Sequence, residues 1–279
     1  MADFPRTLAH LDGAALGVFG AGHLGRVIAA GLVQNGFPTS RLLICHGGSP
    51  ETEKRLAEAG LSGRRVEAVE LTRRSRIILY LVRPQHLNAI EHCRLKSDTL
   101  FLSFLAGTPL ARVPVSVPPG NMVRVMTSAP DTFTKRIAVG GTYPSGNHVA
   151  EELLRALHVE QFSLAREQDM HAFTALGVCL PIVLACWRAQ EKAVDEAGLI
   201  QYAQRLGLVN YERILEWARR AEPRFDTQAE REEYIQKAAT PGGVTEAMIR
   251  RIVAGGSLIE ALESGILRSQ ELGRGSAAR

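Results

Sequence analysis

Residues 17–25 read GVFGAGHLG, and this stretch decides the fold of the first half of the chain. An apolar run breaks into the pattern Gly20-x-Gly22-x-x-Gly25 and continues into the helical stretch RVIAAGLV. This order predicts a buried parallel strand, a tight turn and a helix whose free backbone N–H groups point beyond the strand end. Gly20 allows the turn, Gly22 lets a pyrophosphate approach the backbone, and Gly25 lets the helix pack closely on the strand.

The glycine pattern favours a dinucleotide site over its alternative, an ordinary strand-to-helix turn, because it comes first in the chain and lies between a strand and a helix. His23 and Leu24 stand inside the turn and are predicted to lie beside the cofactor as well. His23 either touches the cofactor phosphates or faces water.

The end of the second predicted strand, residues 41–45, bears on the choice of cofactor. An Asp or Glu usually holds the ribose hydroxyls of NAD there, but this chain has Cys45 and His46. The following turn, which includes Gly47 and Ser49, offers free N–H groups to a 2′-phosphate. NADP is therefore the predicted cofactor and NAD the alternative. His46 is either a phosphate contact or a surface histidine.

Strand and helix patterns alternate as far as about residue 164, after which the patterns are helical only. Alternation predicts an α/β fold with a Rossmann-type doubly wound sheet at residues 1–165, followed by an all-helical dimerisation domain at 166–279. The predicted strands are 16–19, 41–45, 66–69, 75–82, 99–104, 122–126 and 137–140. The predicted helices of the second domain are 168–198, 200–220, 228–238, 245–255 and 258–272.

Composition limits the functional classes open to the 279-residue chain. The net charge of +4 comes from Lys and Arg spread along the chain, which suits an anionic small ligand better than nucleic acid. The 4 cysteines show no CxxC spacing, so neither a metal site nor a disulfide framework is predicted. With no signal-peptide pattern and no apolar stretch long enough to span a bilayer, we expect a cytoplasmic protein outside the membrane.

Several further segments, together with the glycine motif, resemble the pyrroline-5-carboxylate reductase family, whose members reduce a cyclic imine with NAD(P)H. They occur in the family's order along nearly the whole chain. The segments are LVRPQ at 81–85, like the family's AVKPQ; SFLAG at 103–107, like SIAAG; RVMTSAP at 124–130, like RVMPNTP; and TPGGVT at 240–245, like SPGGTT.

The resemblance implies roles for particular residues and an intertwined homodimer, or a higher oligomer built from dimers, formed by the helical tail. Val82, Arg83 and Pro84 would line the cofactor near its ribose and nicotinamide. Ala106 and Gly107 would edge the reaction site. In the second domain, Gly242, Gly243 and Thr245 would bind the substrate, with the hydroxyls of this segment supplied by the partner subunit and Thr245 as the candidate catalytic residue.

One segment departs from the family. The family has the sequence SGSGPA at a helix start that holds the substrate carboxylate. This chain has Gly177 and Cys179 in place of the serines and Leu180 in place of a glycine. A thiol is a weak hydrogen-bond donor, so the predicted substrate contacts at Gly177 and Cys179 differ from the family's. The hydroxyls of Thr240 and Thr245 remain.

The leading hypothesis is an NAD(P)H-dependent reductase of a C=N bond with a changed imine substrate. The alternative is a dinucleotide-binding sensor or partner protein of the same fold that has lost catalysis. A hydroxyacid dehydrogenase is the third hypothesis. A protonated imine is already a good electrophile, so positioning can carry the reaction without a strong acid. Candidate proton sources are Thr245, Ser128, a bound water and His171.

Overall fold

The computed structural model describes residues 13–239 and 241–275. Thr240, one of the two predicted substrate hydroxyls, lies outside them. The chain divides into two compact units, with unit 1 ending at Ser163 and unit 2 beginning at Leu164.

Unit 1 is built on a seven-stranded sheet with the order β2-β1-β3-β4-β5-β6-β7. The first five strands run parallel, β6 is antiparallel to β5, and β7 is parallel to β6. The strands are β1 Ala15–Phe19, β2 Leu42–Cys45, β3 Ser75–Tyr80, β4 Leu100–Ser103, β5 Met122–Thr127, β6 Val139–Tyr143 and β7 Glu160–Ser163. The order places a topological switch between β1 and β3, because the chain leaves β1 toward β2 and then crosses back.

Both faces of the sheet are covered, as the continuous apolar runs require. Leu16 and Val18 of β1 face one apolar cluster with helix α1, while Ala15 and Phe19 face a second cluster on the other side. The helices of unit 1 are α1 His23–Gln34, α2 Pro50–Glu58, α3 Ala68–Arg74, α4 Pro130–Thr134 and α5 His148–Ala156.

The predicted fold class is confirmed, but one predicted strand of unit 1 differs and one observed strand was not predicted. The strand predicted at 66–69 is wrong: Ala68 begins α3, which buries Leu71 and leaves Val69 62% exposed. A short apolar alternation fits either period, and the packing of Leu71 beside Gly17 decides it. The segment after β3 forms a 3₁₀-helix, Pro84–Ile90. Strand β7 was not predicted.

Unit 2 contains helices joined by loops, with no strand among its described residues. The helix predicted at 168–198 is interrupted twice, by a π-turn and by a loop after Arg188, and the one predicted at 200–220 is broken at Asn210, which has φ of +55°. The helices are α6 Asp169–Phe173, the π-turn Thr174–Val178, α7 Leu180–Arg188, α8 Glu196–Arg205, α9 Tyr211–Ala221, α10 Gln228–Ala238, α11 Val244–Val253 and α12 Leu258–Gly275.

Among the described residues, no single helix has the length and apolar character needed to cross a membrane. Only a pair of segments, 169–178 and 180–188, passes that test jointly, and the two are bent by 47° relative to each other.

Candidate dinucleotide and substrate sites

The glycine loop, residues 20–25, lies at the carboxyl end of β1 and at the switch between β1 and β3. Gly20 has φ of +108°, and a Cβ there would lie 2.7 Å from the Leu81 carbonyl carbon. A Cβ at Gly25 would overlap the carbonyl oxygen of Gly20. Both positions therefore require glycine for close packing of the loop, the helix and β3.

Gly22 differs from the other two glycines, because a Cβ there would meet nothing within 4 Å. It is exposed and is the N-cap of α1, with no side chain bonded to the first turn and no acidic residue in that turn. The amides at the start of α1 therefore face open space with the positive end of the helix dipole. This arrangement suits a pyrophosphate.

The ends of the neighbouring strands are tied to this loop by backbone hydrogen bonds. The Gly20 amide donates to the Cys45 carbonyl over 2.8 Å, and the Leu81 amide donates to the Phe19 carbonyl over 2.8 Å. The predicted cofactor residues Val82, Arg83 and Pro84 follow directly. Ala106 and Gly107 follow β4, where Gly107 has φ of +70°. The fold thus brings the predicted cofactor residues of unit 1 to the carboxyl edge of β1 to β4.

His46 has a different environment from either predicted one. Its side chain is 4% exposed, and its Nδ1 accepts a hydrogen bond from the Gly48 amide over 3.0 Å. Its Nε2 lies 3.3 Å from Glu53 Oε1. Burial lowers the pKa of His46, with Glu53 acting in the opposite direction. The ring therefore shapes the turn, and a phosphate at 47–49 would meet backbone amides instead of imidazole.

Three arginines that the sequence did not point to lie around the glycine loop and the turn after β2. A Cβ at Gly48 would lie 2.8 Å from Arg65 Nη2, so this guanidinium covers the turn. Burial and the nearby charge of Arg55 lower the pKa of Arg26, which donates to the Ala21 carbonyl over 3.1 Å. Arg65 is held beside the turn because its backbone pairs with that of Ile44 at the end of β2. Arg65 is the nineteenth residue after His46, so only this tertiary pairing shows that its side chain lies beside the turn.

His23 is the first residue of α1 in the glycine loop, and Ser49 ends the turn after β2. His23 is exposed, and its pKa is lowered by partial burial and then by Arg26 and Arg55. Ser49 is the N-cap of α2, where its hydroxyl accepts a hydrogen bond from the Thr52 amide. Burial raises the pKa of the Cys45 thiol to about 11, so this strand end carries a neutral thiol.

In unit 2, the structure brings Cys179 and Thr245 together, 66 residues apart in sequence. The Thr245 hydroxyl donates to Cys179 Sγ over 3.3 Å. Burial raises the pKa of this thiol to about 11, so it is neutral at physiological pH. Thr245 is the second residue of α11. Gly243 is the N-cap of this helix, and Gly242 before it has φ of +69°.

Gly177 lies inside the π-turn and is buried. A Cβ there would lie 3.3 Å from the Phe173 ring, so even a serine would crowd the ring. The Cys179 amide donates to the Thr174 carbonyl over 3.1 Å, and the buried Tyr211 hydroxyl donates to the Leu176 carbonyl over 2.9 Å. Pro181 has no N–H. This segment therefore continues one bent helix and is not the open helix start found in the resembling family's pattern.

The remaining proton-source candidates are held by other protein groups. Ser128 is 2% exposed, and its Oγ lies 2.7 Å from Thr132 Oγ1 and accepts from the Val139 amide. His171 Nδ1 lies 2.9 Å from Ser269 Oγ. Both residues have structural partners, and Thr245 is the candidate with a hydroxyl beside the predicted substrate segment.

Comparison with known proteins gives matches in sequence and in structure. Residues 15–107 match the family model described as "NADP oxidoreductase coenzyme F420-dependent". No curated protein matches the chain by sequence.

Three solved structures of pyrroline-5-carboxylate reductases are similar to this chain. The Coxiella burnetii protein has 17% identity and a TM-score of 0.56, covering 93% of this chain and 98% of its own. The Plasmodium falciparum protein, with NADP bound, has 18% identity and a TM-score of 0.55, with coverage of 93% and 98%. The Streptococcus pyogenes protein has 16% identity and a TM-score of 0.57, with coverage of 92% and 98%. The chain therefore has the fold of the pyrroline-5-carboxylate reductases.

Proposed function

We propose that the protein is an NAD(P)H-dependent reductase of a C=N bond and a divergent member of the pyrroline-5-carboxylate reductase family. The observation that carries this proposal is the glycine loop. Gly20 and Gly25 are closely packed at the switch between β1 and β3, while Gly22 leaves the α1 amides open to an anion. The fold shared with the reductases and the match of residues 15–107 support it.

We propose NADPH as the preferred cofactor. Burial and then repulsion by the charge of Arg55 lower the pKa of Arg26, and Arg65 covers the turn after β2. A 2′-phosphate would reduce that repulsion and accept hydrogen bonds from the guanidinium groups. No carboxylate stands at Cys45 or His46 to bind ribose hydroxyls or repel the phosphate.

The bound nicotinamide would supply the hydride. The chain's part in the reaction is to hold the imine carbon in position, exclude water and supply a proton to the nitrogen. The Thr245 hydroxyl is the candidate for the proton step: it can pass a proton to a neutral imine nitrogen while a bound water replaces that proton, or it can hold the N–H of an imine that binds already protonated. Its hydrogen bond to a neutral thiol leaves its oxygen able to accept a hydrogen bond from an iminium N–H.

We further propose that the substrate differs from pyrroline-5-carboxylate by lacking the carboxylate. The amide of Cys179 bonds within the π-turn, Pro181 has no N–H, and Gly177 has no hydroxyl. Few donors therefore remain in this segment for an anion, and losing a hydrogen bond to a charged group costs about 1.5–3 kcal/mol.

Glu246 adds repulsion at the other predicted substrate segment. Its Oε2 accepts the Gly242 amide over 2.5 Å, and its Oε1 accepts from Arg250 over 2.9 Å. Both hydrogen bonds lower the pKa of Glu246, and the one from the Gly242 amide has the larger effect. The start of α11 thus carries an ionised carboxylate, paired with Arg250 and near Arg268, and we propose that it disfavours a second carboxylate nearby. Neutral or cationic imines suit this environment better.

A panel of cyclic imines with and without a carboxylate tests the function. NADPH oxidation is followed by absorbance at neutral and mildly acidic pH, and the amine product is identified by mass spectrometry. We expect turnover of at least one imine without a carboxylate. NADPH binding with no turnover of any imine would contradict the reductase proposal and favour the sensor, whose motivation is the same loss of hydroxyls at Gly177 and Cys179.

We also propose a homodimer formed by unit 2. Val253 of α11 is 74% exposed, and Leu267 of α12 is 59% exposed. Large apolar side chains with this exposure suit an interface. Sedimentation equilibrium of the wild type and of Val253→Asp/Leu267→Asp tests it: we expect a dimer that the double variant weakens, and a monomeric wild type would contradict it.

A further inference from the structure

A second basic feature of unit 1 lies at the opposite edge of the sheet from the glycine loop. A cleft of about 470 Å³ opens at the amino ends of β1 to β4. Arg41 directly precedes β2, Arg73 and Arg74 end α3 just before β3, and Lys96 lies in the turn before β4. We call this feature the basic cleft. Its volume lies within the range of small-molecule sites, about 300–1,000 Å³.

The positive charges of the basic cleft are only partly balanced. Arg74 pairs with Glu70 over 2.6 Å. Within the described part of the chain, Arg41, Arg73 and Lys96 have no carboxylate partner. Three cations therefore face one opening without neutralisation, and each raises the free energy of the others.

Arg41 is the fixed member of this group. Its Nε donates to the Ala14 carbonyl over 2.9 Å, and its guanidinium lies 5.8 Å from the centroid of the Phe37 ring. Its Nη2 is buried and has no hydrogen-bond partner among the described residues. A buried guanidinium nitrogen without a partner is unfavourable, and an anion in the cleft would compensate its charge.

We propose that the basic cleft binds the phosphate or pyrophosphate group of a small phosphorylated molecule. A phosphate group carries close to two negative charges at neutral pH and several strong acceptor oxygens, which matches one fixed and two exposed cations better than a single carboxylate does. The exposed Ser40 lies on the same lining and can donate a hydroxyl hydrogen bond. The site is separate from the glycine loop and independent of the proposed reductase activity.

Calorimetric titration of inorganic pyrophosphate tests the proposal. The Gly22→Val variant serves as background, because it blocks anion binding at the glycine loop while leaving the cleft intact. In this background we compare Arg73→Ala/Lys96→Ala with Arg155→Ala/Arg224→Ala, which removes two exposed arginines outside the cleft. We expect the cleft variant to weaken binding at least about tenfold and the control to change it by less than about twofold.

Arg41→Lys is a second test, since it keeps the charge and removes the guanidinium geometry. We expect weaker pyrophosphate binding, with the melting temperature of every variant recorded to verify folding. Three results would overturn the proposal: no pyrophosphate binding in the Gly22→Val background, an equal loss in the control double variant, or binding of short single-stranded DNA without binding of pyrophosphate.

Discussion

The glycine loop of unit 1 and the bent segment 174–181 of unit 2 both contain glycines that the sequence analysis assigns to a binding site, but they differ in what they leave open. At the glycine loop, Gly22 faces open space and the α1 amides are available. In the bent segment, Gly177 is closed by Phe173 and the Cys179 amide bonds to Thr174. The structure thus leaves the start of α1 uncapped and open in unit 1, whereas the bent segment of unit 2 is closed by its own side chains and hydrogen bonds.

The largest expected effect tests the open side of the glycine loop. Gly22→Val places a side chain where a pyrophosphate would approach, so we expect NADPH affinity to fall more than about 100-fold in calorimetry. The fold should survive, because a Cβ at Gly22 meets nothing within 4 Å. Unchanged affinity in a folded variant would refute the assignment of this loop.

Gly25→Ala is the matched test of the closed side of the same loop. Its methyl group would overlap the Gly20 carbonyl oxygen. We expect the free energy of unfolding to fall by about 1–3 kcal/mol, the usual cost of overpacking, as measured by urea denaturation. A variant as stable as the wild type would mean that α1 is less closely packed on β1 than described.

Arg26 tests the charge around the turn after β2. Arg26→Gln should lower the affinity for NADPH about tenfold, the loss of one charge-assisted hydrogen bond, and leave the affinity for NADH within about twofold. Arg155→Gln, on an exposed part of α5, is the control. Equal losses for the two cofactors would assign Arg26 to the shape of the loop instead of to the 2′-phosphate.

Glu246 tests the predicted substrate segment at the start of α11. Glu246→Gln keeps an acceptor for the Gly242 amide and removes the charge, so kcat/KM for a carboxylate-bearing imine should rise about five- to tenfold, with little change for a neutral imine. Glu260→Gln is the matched control, because Glu260 accepts the Ser257 amide at the start of α12 and pairs with Arg251. A similar gain in both variants would show that local charge at Glu246 is not responsible.

The smallest effect concerns the Cys179 thiol. Its pKa of about 11 means that the neutral form, favoured by burial, stabilises the fold below the ordinary thiol pKa of about 8.5, and that this contribution is lost as pH rises toward 11. In a variant with Ser at Cys45, Cys93 and Cys186, alkylation by iodoacetamide at about pH 8 should be much slower than for free cysteine. Labelling as fast as free cysteine would contradict the described burial.

The sequence predicts the glycine loop well because each of its requirements is local. A strand, a turn and a helix follow one another within residues 15–34. The spacing of the three glycines is enough to predict the tight turn, the open helix start and the close packing of the helix on the strand. The carboxyl edge of parallel strands then brings residues 82–84 and 106–107 to the same edge, as the alternating pattern implies.

The rest of the site depends on tertiary contacts that no local pattern encodes. Arg65 reaches Gly48 only because its backbone pairs with Ile44. His46 is buried by the fold of its own turn and by Glu53. The π-turn at Thr174–Val178 interrupts a helical pattern that reads as continuous, and its hydrogen bonds decide which amides are free.

The most direct test of the central claim compares 1-pyrroline with 1-pyrroline-5-carboxylate as substrates of the wild-type protein at saturating NADPH. The two differ only in the carboxylate that unit 2 is proposed to exclude. We predict that kcat/KM for 1-pyrroline is at least about tenfold higher, the equivalent of about 1.4 kcal/mol. A higher kcat/KM for 1-pyrroline-5-carboxylate would contradict the proposed exclusion of the carboxylate. Reduction of neither compound would contradict the proposal that the substrate is a five-membered cyclic imine.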